Sequence, residues 1–319
     1  MSDPSRRSGE QDLLGALAAS DIVVSFQLES SAVRGRLARL GASVDAVLSA
    51  HAYPDTVSRI LGEALVLTAL LGTALKFDGI FTVQAQGDGP LSLLVADYET
   101  SGQDGGGALR GYAAFDADAI SALKTHRLSD LFGKGALAFT IDPKLERERY
   151  QGIVPLEGER LADAARLYFD QSEQIPTSVM LAVARRFAPD AAQGEWRAGG
   201  LMVQTIPVEG GQGGFANESQ EEDFTRARLL GETVADDELV DPMLSADRLL
   251  YRLFHEEGVR VFPPAPVHFA CRCSGERLRN VLTSYPEEDL RAMSEDGAIT
   301  ASCQFCSKRY SFPLESFLA

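Results

Sequence analysis

A chain of 319 residues, 45% hydrophobic and 24% charged, is long enough to bury a substantial core and to divide into two or more domains. Its formal net charge of -16 argues against any general grip on nucleic acid, because phosphate binding relies on Lys and Arg to neutralise the backbone. Residues 1–12 are polar and the most apolar run, Ala64 to Leu75, falls well short of the roughly 20 residues that span a bilayer, so the expectation is a cytoplasmic chain with no export signal and no membrane partner.

Residues 1–20 read as a loose tail with a short apolar segment at its end. Ile22 to Leu28 and Val33 to Leu40 alternate apolar and polar positions as half-buried strands do. From Thr56 to Lys76 apolar residues recur at helical spacing on so wide a face that the helix must be buried on most sides, lying across a sheet. Ile80 to Gln86 and Leu91 to Ala96 form a hairpin around Gly87-Asp88-Gly89-Pro90, whose residue types favour a tight turn. Arg110 to Phe115, Ala136 to Ile141, Tyr150 to Pro155 and Leu201 to Ile206 are further strands, while Leu161 to Ser172 and Ser178 to Phe187 supply helix or another strand. Strands and helices mix without regular βαβ alternation, which indicates an α+β fold.

Gly210 to Gly214 with Asn217 marks a boundary. Between Glu218 and Gly258 twelve acidic residues face four basic ones, so half of the net charge lies in about an eighth of the chain. There Asp241-Pro242 suits a helix start, Leu249, Leu250, Leu253 and Phe254 make an apolar stripe, and Gly258 is a stop. Helices this short need a partner surface. Pro263, Pro264 and Pro266 then lead into the last segment. The expected division is a tail over 1–20, a mixed sheet-and-helix core over 21–217, an acidic helical linker over 218–265 and a small zinc-binding domain over 266–319.

All four cysteines fall in the last fifty residues, as Cys271-Arg272-Cys273, 29 intervening residues, and Cys303-Gln304-Phe305-Cys306. Two close pairs on separate hairpins can set four thiolates at the corners of a tetrahedron, the geometry of one closed structural Zn2+ site with no open position for a catalytic water. His268 is near in sequence, but four cysteines already satisfy the metal, so it reads as a bystander. Two uses of the cluster stay open on these residues: a purely structural zinc ribbon, or a redox device, since a disulfide within CxC closes a strained and easily reduced ring. A module of some fifty residues buries little apolar surface and needs a staple, and zinc contributes roughly 10 to 16 kcal/mol in comparable domains. Oxidation of the thiolates would release the metal, unfold the module, free the acidic helices and uncover apolar surface able to bind non-native chains.

Other candidates are weaker. Gly87-Asp88-Gly89-Pro90, Gly105-Gly106-Gly107 and Gly133-Lys134-Gly135 lack the P-loop and dinucleotide fingerprints and read as turns. His51, His126 and His255 are isolated and read as structural, so no catalytic residue is assigned.

The sequence resembles the heat shock protein 33 family from about Asp21 to Phe312. The resemblance is carried by Ala32-Val33-Arg34-Gly35, His51-Ala52-Tyr53-Pro54, Leu75-Lys76-Phe77-Asp78-Gly79, Val83 to Pro90, Arg110-Gly111-Tyr112-Ala113, Glu148-Arg149-Tyr150-Gln151-Gly152, Ser172 to Thr177, Leu253-Phe254-His255-Glu256-Glu257 and the two cysteine pairs. It implies an ATP-independent holdase without catalytic turnover: zinc-bound, inactive and monomeric when reduced, and active and often dimeric after oxidative stress with unfolding. It also implies disulfides of Cys271 with Cys273 and of Cys303 with Cys306, unfolded proteins as clients, and ATP-driven chaperones as their later recipients. The sequence departs from the family in a longer N-terminal tail and an insertion at Gly102 to Gly107. Two competing readings are a nucleic-acid-binding zinc-ribbon protein, which the net charge weighs against, and an enzyme working in the N-terminal domain.

Overall fold

The computed structural model describes residues 15–17, 19–74, 78–101, 106–144, 148–187, 194–207, 214–215 and 217–318. The expected tail up to residue 14, Leu75 to Phe77, Gly102 to Gly105 and Gly210 to Gly211 lie outside the described residues.

Alternating apolar residues build the strands where the sequence places them. β1 (Ile22–Leu28) and β2 (Val33–Leu40) form an antiparallel hairpin, with Val24 facing Leu37 across it. β2 continues onto β9 (Glu195–Thr205), which pairs with β8 (Thr177–Arg186). A second group runs β7 (Tyr150–Pro155), β6 (Gly135–Pro143), β3 (Gly79–Gly87), β4 (Leu91–Thr100) and β5 (Gly107–Phe115), all antiparallel. Two short strands from the far end of the chain complete one eleven-stranded sheet. β10 (Val259–Val261) pairs with the end of β1, and β11 (Ala265–Phe269) lies antiparallel to the start of β1 and parallel to β5, joining the two groups. The expected boundary between residues 265 and 266 therefore falls within a strand of the core sheet.

The turn chemistry at Gly87 to Pro90 holds. Asp88 accepts a hydrogen bond on Oδ1 from the Lys134 backbone N–H at 2.7 Å, and the Gly89 N–H donates to the Phe132 carbonyl at 2.9 Å. Gly133, at φ 62°, adopts the left-handed turn that a glycine reaches without strain. Gly87 to Pro90 joins two strands and Gly133 to Gly135 leads from a helix into a strand, so neither passes from a strand into a helix as a phosphate loop does.

On one face of the sheet, α1 (Ala42–Leu48) is started by Asp21, whose carboxylate accepts from the backbone N–H groups of Gly41, Ala42 and Ser43 at 2.9 Å each. α2 (Asp55–Gly72) follows, and Leu61, Ala64, Leu65, Val66, Leu67 and Leu70 are fully buried along it. It touches β2, β8 and β9 as well as β3, β4 and β5, so both strand groups wrap it, which explains an apolar surface on most sides. α3 (Ala117–Ala122), α4 (Leu128–Phe132) and α5 (Leu161–Tyr168) flank this core. The expected helix from Leu161 to Ser172 is completed by a π turn over Phe169–Glu173, ended by Gln174 in the left-handed region. Ser178 to Phe187 resolves in favour of strand, as β8.

The acidic segment forms α6 (Glu218–Gly231), α7 (Asp236–Val240) and α8 (Ala246–Phe254). Asn217 caps α6 by accepting from the Gln220 N–H at 3.0 Å. Leu249, Leu250, Leu253 and Phe254 pack with Phe224, Ala227 and Leu239 on the face of β1, β2, β8 and β9 opposite α2, against Val24, Phe26, Leu28, Val33, Leu37, Leu201 and Val203. The start expected at Asp241-Pro242 is corrected: Asp241 ends α7, and its carboxylate takes the Met243 N–H at 2.8 Å. That local Asx turn uses the side chain that a helix cap would need, and α8 begins only after Ser245. Gly258, at φ 68°, stops the segment as expected, after a 3-10 turn over His255–Glu257.

Candidate metal centre

The pairing of β11 with β5 runs on to Ala270, whose N–H donates to the Leu109 carbonyl at 3.1 Å, and Cys271 is the next residue. The first knuckle, Cys271 to Cys273, thus leaves directly from a strand between the two halves of the core sheet. Ser274 then caps α9 (Gly275–Leu282) by accepting from the Arg277 N–H at 3.1 Å, and α10 (Glu287–Met293) follows. β12 (Ala298–Ser302) and β13 (Arg309–Pro313) make a hairpin whose tip is the second knuckle. That tip is tied by the Ser307 N–H to the Cys303 carbonyl at 2.8 Å and by the Cys303 N–H to the Lys308 carbonyl at 2.9 Å. The module's own core is Leu282, Leu290, Ile299 and Phe312, too little to hold a unit this small without a staple.

The four cysteines come together beside this small core. The four sulfurs of Cys271, Cys273, Cys303 and Cys306 all lie within 4.8 Å of one another, half-buried and with no disulfide formed. Two sulfur contacts cross between knuckles, Cys271 to Cys303 at 3.6 Å and Cys273 to Cys306 at 3.4 Å. A tetrahedral Zn2+ with sulfur ligands at about 2.3 Å has sulfur edges of about 3.8 Å, so the cluster fits such an ion closely. Burial pushes the Cys271 thiol up and the Cys306 thiol up to about 12. Burial opposes ionisation of Cys273 too, but hydrogen bonds from Tyr310 Oη, at 3.2 Å, and from the neighbouring thiols hold it down at about 7. Four thiolates gathered this tightly need a cation between them. The cluster could hold a metal ion, and its all-sulfur donors suit zinc.

His268 is exposed on β11 and stands outside the cluster, which agrees with its reading as a bystander. His126 bonds Thr56 Oγ1 at 3.3 Å and His255 packs on the Tyr251 ring at 5.3 Å, so neither joins the cysteines. His51 is less isolated than its sequence suggests. Its Nδ1 lies 3.0 Å from Ser307 Oγ, next to Cys306, and its ring packs on Tyr53 at 4.8 Å.

The acidic helices are tied to one another and to the sheet by a few polar contacts around their apolar stripe. Arg226 bonds Glu257 at 2.7 Å and Asp223 at 2.8 Å, Ser30 Oγ donates to Glu257 at 2.6 Å, and Arg252 bonds Glu238 at 2.6 Å. The C-terminal carbonyls of α7 are taken by two core arginines: Arg197 Nε donates to Val240 O at 3.1 Å, and Arg39 donates to Asp241 O. Cations at a helix C-terminus also oppose its dipole favourably. None of these partners is legible in the sequence, where Arg39 and Arg197 look like ordinary polar positions of strands.

A family profile described as Hsp33 protein matches residues 21–313. The chain belongs to the Hsp33 family. A 33 kDa chaperonin of Caulobacter vibrioides is 44% identical to this Hsp33 chain over 296 residues, covering 91% of it and 94% of the relative. A 33 kDa chaperonin of Escherichia coli O7:K1 is 39% identical over 289 residues, 90% of each chain. The crystal structure of the 33 kDa chaperonin Hsp33 homologue of Thermotoga maritima superposes with a TM-score of 0.74 over 93% of this chain and 98% of that one. At 23% identity that likeness speaks for the fold, and it agrees with the α+β class read from the sequence. No described helix of this Hsp33 chain is long and apolar enough to cross a membrane.

Proposed function

We propose that this Hsp33-family chain is a redox-regulated, ATP-independent chaperone of the cytoplasm that holds unfolding proteins and performs no catalytic turnover. The observation that carries the reading is a pairing of two features on one stretch of chain. Four thiols converge within 4.8 Å just beyond β11, and the helices just before β10 cover an apolar sheet face. The family names, 33 kDa chaperonin, support a chaperone role.

In the reduced form Cys271, Cys273, Cys303 and Cys306 hold one Zn2+, which, when bound, keeps the thiolates deprotonated and ties the two knuckles together. Oxidation takes two thiolates per disulfide: each pair gives up two electrons to one hydrogen peroxide, one S–S bond forms as the O–O bond breaks, and two protons from solvent complete the two waters released. The pairs proposed are Cys271 with Cys273 and Cys303 with Cys306, which the family resemblance supports; the cross pairs in contact, Cys271 with Cys303 and Cys273 with Cys306, are the alternative that peptide mapping distinguishes. Disulfides leave no thiolates to bind the metal, so the module loses its staple. The loss reaches the acidic helices along the chain through β11 and β10, which hold β1 by only a few register pairs. The helices then leave the sheet, and both apolar faces bind unfolded clients before ATP-driven chaperones receive them. The same sticky faces explain assembly of the oxidised form into a dimer from a reduced monomer. The proposed units are the core 21–217, the metastable linker 218–265 and the switch domain 266–319.

The test measures zinc release, free thiols and suppression of aggregation in the same samples, before and after peroxide at raised temperature. Suppression is expected only as zinc and thiols are lost. Full suppression by the reduced, metal-loaded protein would reject the switch, and tight, salt-sensitive RNA or DNA binding would favour the zinc-ribbon reading instead.

A further inference from the structure

Side chains interleaved with the metal ligands land on one patch of the core. Arg272, between Cys271 and Cys273, donates from Nη2 to Asp97 Oδ2 at 2.5 Å and approaches Glu99 at 3.9 Å. Phe305, inside Cys303 to Cys306, packs its ring under the Arg110 guanidinium, 3.9 Å from its centroid, and tilts against Tyr112 at 6.0 Å. Ser307 reaches His51 at 3.0 Å. The backbone of Arg272 and of Phe305 is held between two cysteines, so where these side chains start, and hence their contacts, depends on the shape of the knuckles.

The receiving patch is held together within the core sheet itself. Gln151, Thr140, Thr82, Asp97 and Arg110 are successive register partners across β7, β6, β3, β4 and β5. Asp97 is 5% exposed, with Oδ1 accepting from Thr82 Oγ1 at 2.7 Å and Oδ2 from Arg110 Nε at 2.8 Å. Arg272 adds a second guanidinium to a carboxylate already paired within the sheet. A largely desolvated carboxylate gives such charge-assisted bonds more weight than a surface pair has, and a cation held over an aromatic face adds to it.

We infer that Arg272 and Phe305 are positioning residues of the thiol switch: they dock the reduced knuckles on Asp97, Arg110 and Tyr112 and thereby set how fast the four thiols yield to oxidant. This rests on the redox reading above. Docking holds the first knuckle against the sheet, in line with β11, so its release and the loosening of β11 are one event. The patch then becomes free on β4 and β5.

The experiment uses the full chain, reduced and zinc-loaded, with Arg272→Gln, Arg272→Lys, Phe305→Ala, Asp97→Asn and the double variant Asp97→Asn with Arg272→Gln. The rate of thiol loss to peroxide, zinc stoichiometry and hydrogen exchange in β5 are read together. Arg272→Gln and Phe305→Ala are expected to keep one zinc per chain, lower protection in β5 and raise the oxidation rate about tenfold, the weight of one charge-assisted hydrogen bond. Arg272→Lys should recover part of the loss. Adding Arg272→Gln to Asp97→Asn should change the rate little, because the partner is already gone. Parent-like oxidation rates in Arg272→Gln and Phe305→Ala, or effects of Asp97→Asn and Arg272→Gln that simply multiply, would overturn the inference. If Asp97→Asn destabilises the sheet, the two module variants decide alone, since neither residue lies in the module's own core. Aggregation assays on the same samples separate the two readings. Altered rates without oxidant-induced suppression leave the docking standing and reject the redox chaperone, whereas suppression with unaltered rates does the reverse.

Discussion

At the scale of single residues, the proposed metal site rests on sulfur, and each thiolate would supply one quarter of its ligands. Cys303→Ser replaces a soft, ionisable ligand by a hydroxyl that stays protonated, so zinc affinity in chelator competition is expected to fall by about two orders of magnitude. Unchanged affinity would remove Cys303 from the ligand set. A second residue, Glu63 of α2, makes stability depend on pH. Burial pushes its carboxyl up to about 7, Arg160 at 3.7 Å pulls it only part of the way back, and Asp236 of α7 pushes it further up. The folded protein thus keeps a proton that the unfolded chain releases near the ordinary carboxylate pKa of about 4.3. Its contribution is fully present below that value and is lost as pH rises to about 7. Glu63→Gln should therefore gain on the order of 2 kcal/mol over the parent at pH 8 and nothing at pH 4, as read from paired thermal melts. An equal difference at both values would contradict this assignment. The cysteines were legible because their spacing is local, and Glu63 and Arg272 were not, because burial and a distant partner define their roles.

At the scale of elements, the acidic helices are held where their backbone meets the sheet. A Cβ on Gly199 of β9 would overlap the Leu239 carbonyl of α7, so Gly199→Ala must lift that helix without touching a cysteine. The expected result is that the reduced, zinc-bound variant loses exchange protection in α6 to α8 and suppresses aggregation before any oxidant is added. Parent-like protection together with parent-like inactivity would show that α7 does not cover the client surface. Most strands and α2 were readable from periodicity, since each has one buried face or a fully buried run. β8 was ambiguous because Val179 to Ala184 is nearly continuous in apolar residues, and only pairing with β9 decides it. β10 and β11 carry three and five residues, with Pro263 and Pro264 between them and Pro266 inside β11, too short for a pattern; they are strands because β1 and β5 offer edges. The start of α8 was misplaced because an Asp-Pro pair serves a turn as well as a cap.

At the scale of the whole molecule, one sheet separates two apolar clusters of different security. The cluster around α2 is enclosed by strands from both groups, whereas the cluster beneath α6 to α8 has one wall made of helices joined onward through short strands. α8 stays docked through what lies on either side of it, namely the Arg226, Glu257 and Ser30 contacts and the strands leading to the cysteines. Charge composition singled out this segment from the sequence, but the central place of β11 between the two strand groups could not be read, because it arises from chain ends meeting in space. The consequence is an ordered loss of structure. After peroxide treatment with gentle heating, amide exchange should accelerate first across residues 271–313 together with β11 and the β5 edge it leaves, then in β10 and α6 to α8, while α2, β3, β4 and β6 keep their protection. Retained protection in α8 after all four thiols are oxidised would cut the link between the metal centre and the apolar face. Simultaneous loss in α2 would show that oxidation unfolds the whole chain and uncovers no particular surface.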